Sequence, residues 1–379
     1  MDFDTLCIHG SRGKYDTTGA VSVPIFQSAT FAHPGVGLST GYDYSRTQNP
    51  TREHLEKTLA KLESGVEALA FSTGMAAVSA LMELFSPGDH LIASDDLYGG
   101  TYRLFQQISA KNGISFSFVA TSDLAAVERQ IRPETKAVLI ETPTNPMMQV
   151  TDIGAVSKLC KSRGLLLAVD NTFLTPCFQK PLLLGADVVI HSGTKYLGGH
   201  NDTLAGFLVV SDGDLAERLR FIYKTTGACL SPFDSWLLIR GLKTLPVRME
   251  RQQENAMKIA GWLCKQDKIK AVYYAGLPSH PGFQISQKQT TGFGAMISFE
   301  TDSRETALRI LERVSVIQYA ESLGGAESLI TYPMLQTHAD VPKEEREAKG
   351  INERLLRLSV GLESADDLVA DLKQAIERG

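Results

Sequence analysis

The five cysteines of this 379-residue chain (Cys7, Cys160, Cys177, Cys229, Cys264) are odd in number, far apart and never set as CxxC. Neither a disulfide framework nor a thiolate zinc site is signalled, and reduced, mostly buried thiols are expected. The eight histidines are equally scattered, with no HExxH or His-x-His arrangement, so no metal is expected. A basic field is missing too. Lys and Arg number 38 against 43 Asp and Glu, a net charge of −5, with the two signs interspersed. Nucleic acid and anionic membrane are therefore poor partners. No apolar run approaches the length of a bilayer span, and Met1-Asp2-Phe3-Asp4 lacks the basic start and apolar stretch of a signal peptide. A cytoplasmic location is the expectation. Internal repeats and low-complexity tracts are also lacking.

What is present is the composition of an ordinary globular protein, 43% hydrophobic and 21% charged, at a length that suits two domains and a short arm. Residues 1–52 are rich in Gly, Ser, Thr and Pro with little helical periodicity, which predicts an extended arm that needs a surface to lie on. From Glu53 the pattern changes, with Leu55, Leu59 and Leu62 on one helical face. Short apolar runs then recur between helical patterns: 68–71, 90–93, 115–119, 137–140, 165–169, 188–191 and 206–210. This alternation predicts an α/β domain over 53–235 around a mostly parallel seven-stranded sheet, whose ligands gather at the C-terminal strand ends. A long helical region, 232–265, leads to a smaller α+β domain over 236–379. Strands are expected there at 295–299 and 357–360, with a helix after Ser303 and a last helix opened by Ser364 and Asp367.

The strand Val188-Val189-Ile190-His191 ends in Ser192-Gly193-Thr194-Lys195. Desolvation at the mouth of a sheet lowers a lysine's pKa towards Schiff-base chemistry, and Ser192 and Thr194 suit a phosphate; the other reading is a lysine emerging into solvent. Asp170 closes another apolar strand ahead of Asn171 and Thr172, where a carboxylate can keep a pyridine nitrogen protonated, or else cap a helix or ligate magnesium. Phe71-Ser72-Thr73-Gly74-Met75-Ala76 reads as a tight turn entering a helix, a place for a phosphate ester. It is not GxGxxG, and a dinucleotide is a weak alternative. Tyr98, in Asp95-Asp96-Leu97-Tyr98-Gly99-Gly100-Thr101-Tyr102-Arg103, could stack on a cofactor ring, and Asn145, in Glu141-Thr142-Pro143-Thr144-Asn145-Pro146, could bind its phenolic oxygen or the substrate. Each segment alone is ambiguous; together, at strand ends, they fit parts of one molecule.

With Tyr42-Asp43-Tyr44-Ser45-Arg46, Asn49-Pro50-Thr51-Arg52, the 191–200 segment and Arg357-Leu358-Ser359-Val360-Gly361 added, the chain resembles the cystathionine γ-synthase and cystathionine lyase family of pyridoxal 5′-phosphate enzymes, fold-type I, over essentially its whole length. The resemblance implies Lys195 as Schiff-base lysine and proton shuttle, Tyr98 stacked on the ring with a catalytic part, Asp170 against the pyridine nitrogen with Thr172 beside it, and Gly74, Met75, Ser192 and Thr194 on the phosphate. It implies Tyr44 and Arg46 reaching the phosphate of a neighbouring subunit in a homotetramer, and Asn145, Arg103, Tyr44, Glu321, Ser322 and Arg357 contacting amino-acid substrates, with Arg357 clamping the α-carboxylate. The family often has Ala or Ser where this chain has Gly193, and Ser where it has Thr73. Glu321 stands where γ-synthases and γ-lyases resemble each other, suited to a distal amino group. The stretches 198–202 with 204–206 and 331–333 with 337–342 look more like bacterial γ-synthases. γ-Replacement between an O-acylhomoserine and cysteine is therefore the expected reaction, with γ- or β-lyase or O-acetylhomoserine sulfhydrylase activity as the alternatives.

Overall fold

In the computed structural model, which describes residues 1–11, 18–339 and 342–377, the arm is not wholly extended. A short helix α1, Phe3–His9, buries Cys7 and packs against helix α2, Pro50–Glu63. Helix α2 begins before the expected Glu53 because Asn49 caps it. The Asn49 side-chain oxygen accepts from the amides of Thr51 (3.0 Å) and Arg52 (3.4 Å), and Pro50 sits where no helical N–H is needed. Leu55, Leu59 and Leu62 are fully buried, as their spacing predicts.

The seven expected strands all form: β1 Glu67–Phe71, β2 His90–Ser94, β3 Ser115–Val119, β4 Thr135–Glu141, β5 Leu166–Asp170, β6 Val188–Ser192 and β7 Gly206–Val210. They make one sheet in the order β1-β7-β6-β5-β4-β2-β3, with β7 antiparallel to both neighbours and the other pairs parallel. Side-chain alternation feeds two apolar layers. Val138, Ile140, Val169 and Val189 join the layer under α2, while Ala137, Leu139, Ala168 and Val188 join the layer under helix α3, Gly74–Met82. Register places Glu141 beside Asp170, Asp170 beside Ile190, and Ser192 beside Gly206, so the polar strand ends converge on one rim.

The helical region after residue 231 is two helices, Pro232–Leu242 and Leu245–Leu263, since Pro246 lacks the N–H that a continuous helix would use. The second sheet contains β8 Ile269–Tyr273, β9 Met296–Thr301, β10 Gln318–Tyr319, β11 Leu329–Thr331 and β12 Leu355–Ser359, in the order β10-β11-β12-β9-β8. Strands β9 and β12 were expected; β8, β10 and β11 were not. Helices Arg304–Arg313 and Ala365–Glu377 form where they were expected. Among the described residues, no helix is long and apolar enough to cross a membrane. The architecture is thus the expected α/β one, with a second, smaller sheet.

Candidate active site

The strand ends of β1, β4, β5 and β6 open into a cavity of about 360 Å3. It is lined by Gly74, Met75, Tyr98, Asn145, Asp170, Thr172, Ser192, Thr194, Lys195, Glu321, Ser322 and Arg357, twelve of the fifteen residues expected from sequence.

Lys195 lies in the turn after β6, and its Nζ donates to Ser322 Oγ at 2.8 Å. Burial, reinforced by the Arg357 guanidinium and opposed by Glu321, lowers its pKa to about 8. A neutral amine nucleophile is therefore accessible near physiological pH. Ser322 holds a φ of 85°, uncommon for serine, and presents Oγ to Lys195 while its carbonyl accepts from Arg357 at 2.9 Å.

Asp170 ends β5. Its Oδ1 accepts from the Thr172 amide (3.0 Å) and hydroxyl (2.6 Å), and Thr172 Oγ1 in turn accepts from the Ser192 amide (2.9 Å). Burial raises the Asp170 pKa, and the two bonds from Thr172 oppose it. A cationic heterocycle nitrogen facing Asp170 would find a fixed counter-charge.

Thr73 caps α3, its hydroxyl accepting from the Ala76 amide at 3.0 Å. The amides of Gly74 and Met75 belong to the helix's open first turn, beside the hydroxyls of Ser192 and Thr194 on the cavity wall. A Cβ on Gly74 would lie 3.2 Å from Ser192 Oγ, so the glycine keeps this cradle open. Gly193 has a local explanation: a Cβ there would meet the Phe207 ring at 2.4 Å and Ala205 at 2.9 Å. In this chain a phenylalanine takes the space that the family's Ala or Ser side chain would need.

Arg357, in the middle of β12, is 1% exposed and makes only neutral contacts: Asn145 Oδ1 (3.0 Å), Ser322 O (2.9 Å) and Thr331 Oγ1 (3.0 Å). Its Nε has no partner, and burial lowers its pKa to about 10. A buried cation held by neutral acceptors is a receptor for an anion. Glu321 lines the cavity on its exposed side.

Three expected residues lie outside this cavity in their own subunit. Tyr44 is exposed, Arg46 stacks over its ring at 5.6 Å and donates to Lys224 O, and Arg103 is exposed at the end of helix Gly99–Arg103. Arg103 is thus not among the residues that line the cavity in this subunit. Asp340 and Val341, part of the γ-synthase-like stretch, lie outside the described residues. The sequence reading missed Glu141, Thr101, Phe173, Leu204 and Thr337 as lining residues. Glu141 ends β4 as Asp170 ends β5, so the strand-end rule could have found it. Its Oε2 accepts from the Tyr98 amide at 2.9 Å, and burial, with Asp170 adding to it, raises its pKa well above the carboxylate range.

A strand-end lysine of lowered pKa, a buried carboxylate and a helix-start anion cradle define a site for a phosphorylated aldehyde on a pyridine ring. Comparison with known proteins makes this specific. The profile of the Cys/Met metabolism PLP-dependent enzyme family matches residues 4–377. The chain is 50% identical over 377 residues to the cystathionine gamma-lyase of Bacillus subtilis (strain 168), covering 100% of both chains. It is 51% identical over 367 residues to that organism's cystathionine gamma-synthase/O-acetylhomoserine (thiol)-lyase, covering 97% of this chain and 94% of the relative. The crystal structure of a Lactobacillus plantarum cystathionine gamma-lyase complexed with L-serine superposes with a TM-score of 0.96 at 46% identity, over 99% of this chain and 98% of that one. The chain belongs to the Cys/Met metabolism PLP-dependent enzyme family. It is a transsulfuration enzyme whose cofactor is pyridoxal 5′-phosphate, and the amine, carboxylate and anion cradle of the cavity fit that cofactor.

Proposed function

We propose that the chain joins an O-acylhomoserine to cysteine by γ-replacement, the reaction of a cystathionine γ-synthase. The observation that carries the substrate class is Glu321 in the wall of the cavity that also holds Lys195 and Arg357. Arg357 suits the α-carboxylate that every amino-acid substrate brings, and Glu321 suits the distal ammonium that cysteine and cystathionine add. Bound pyridoxal phosphate supplies an electron sink for charge left at the substrate's α-carbon. Gly74, Met75, Ser192 and Thr194 would hold its phosphate, Asp170 would face its ring nitrogen, and Tyr98 and Asn145 would hold its ring. Lys195 Nζ would hold the cofactor and would move protons at the substrate's carbons, with Ser322 Oγ orienting it. Tyr44 and Arg46 serve a neighbouring subunit of a homotetramer.

The choice of replacement over cleavage rests on the γ-synthase-like segments 198–202 with 204–206 and 331–333 with 337–342. A second reading, C–S cleavage of cystathionine, is favoured by the gamma-lyase relative at 50% identity and balanced by the gamma-synthase relative at 51%. Product analysis at matched concentrations tests the two. Acylhomoserine with cysteine should yield cystathionine faster than cystathionine yields pyruvate or 2-oxobutyrate. Dominant cleavage would make the chain a lyase.

A further inference from the structure

We infer that Glu63 is a positioning residue for the cofactor site, acting from the far face of the sheet through His191 and Asn171 on the strand ends that carry Asp170 and Ser192. This rests on the site reading above. Glu63 ends α2, and both it and His191 are completely buried. Its Oε1 accepts from His191 Nε2 at 2.6 Å and from Asn171 Nδ2 at 3.0 Å. Asn171 is itself fixed, its Nδ2 donating to Gln179 O (2.8 Å) and its Oδ1 accepting from Gln179 Nε2 (2.9 Å). Successive residues at a strand end point to opposite faces. Asp170 and Ser192 accordingly line the cavity, while Asn171 and His191 turn to α2. The two strand ends are thus tied twice, through Thr172 on the cavity side and through Glu63 behind.

Charge gives the tie a second effect. Among the described residues no lysine or arginine pairs with Glu63, and the buried His191 is the titratable group that meets its carboxylate. Glu63 Oε2 and His191 Nδ1 have no hydrogen-bond partner. An imidazolium there also favours the ionised form of Asp170 against the burial that raises its pKa.

Borohydride fixation on the unaltered protein comes first: cofactor attached to a lysine other than Lys195 overturns the site reading, whereas attachment to Lys195 isolates the role of Glu63. Glu63→Gln keeps an oxygen for both donors and removes the charge. Its cofactor-free form should bind pyridoxal phosphate at least tenfold more weakly, and the bound cofactor's visible absorbance should shift. Wild-type affinity and absorbance in a folded Glu63→Gln protein would overturn the proposal. Should that variant not fold, neutron diffraction of the unaltered holoenzyme decides: protons on both His191 nitrogens support the pair, and a proton on one alone refutes it.

Discussion

Lys195 shows how a single side chain is tuned by what surrounds it. Burial favours its neutral form, and the neighbouring Arg357 adds repulsion to the same end, so the ammonium deprotonates near pH 8 rather than 10.5. The sign follows directly. Below about 8 the amine holds its proton and is inert, and its nucleophilicity rises tenfold per pH unit towards a plateau above that value. Competitive labelling of the cofactor-free protein with trace acetic anhydride should therefore give a midpoint near 8 for Lys195, and Arg357→Met should move it upward. A midpoint near that of exposed lysines would show that the cavity does not desolvate the amine. The sequence predicted the lysine's place at a strand end and its desolvation there, but not which side chains would meet it. Arg357 and Ser322 follow Lys195 by more than a hundred residues, and their approach depends on how the second sheet packs over the first.

At the scale of elements, legibility tracked pattern. The strands of the large sheet were readable as short apolar runs closed by turn residues, β2 and β7 being buried along their whole length, or, in the less buried β3, as the alternation Ser115-Phe116-Ser117-Phe118. Strands β10 and β11, of two and three residues, are too short to show a period, and in β8 the consecutive Ala271, Val272 and Tyr273 break the alternation. Helix α1 was missed because seven residues amid a polar arm give little periodicity. Gly193 joins two elements, the turn after β6 and the strand β7. A methyl group there would press on Phe207, itself 1% exposed and unable to swing away into solvent. Gly193→Ala should destabilise the fold by about 1–3 kcal/mol, the usual cost of overpacking. Adding Phe207→Leu should recover part of it, in a double-mutant cycle read by urea unfolding of the holoenzyme. Additive losses would show that the two positions do not compete for space.

At the scale of the whole molecule, Tyr44 and Arg46 stand apart from the cavity of their own chain. Their turn is nevertheless held firmly. Buried Arg52 donates to Ser45 O (2.5 Å) and to Leu230 O (3.0 Å), and Arg46 lies over the Tyr44 ring. Beside the cavity is a second hollow of about 820 Å3 that shares Thr194, Leu204, Glu321 and Ser322 with it and also carries Asp202 and Asp234. Its acids complement the arginine of an incoming arm, and its shared wall would bring that arginine to the phosphate end of the site. In a two-fold dimer each arm would then complete the other's site. Arg46→Ala and Lys195→Ala chains should each be nearly inactive alone. In a mixed dimer one site combines an intact lysine with an intact arm, and the other has lost both. Random reassociation makes half of the dimers mixed, with one working site in two, so activity should return to about a quarter of wild type. Native mass spectrometry can verify that hybrids have formed. Verified hybrids with no activity above that of the parents would show that the arm does not serve a neighbour's site.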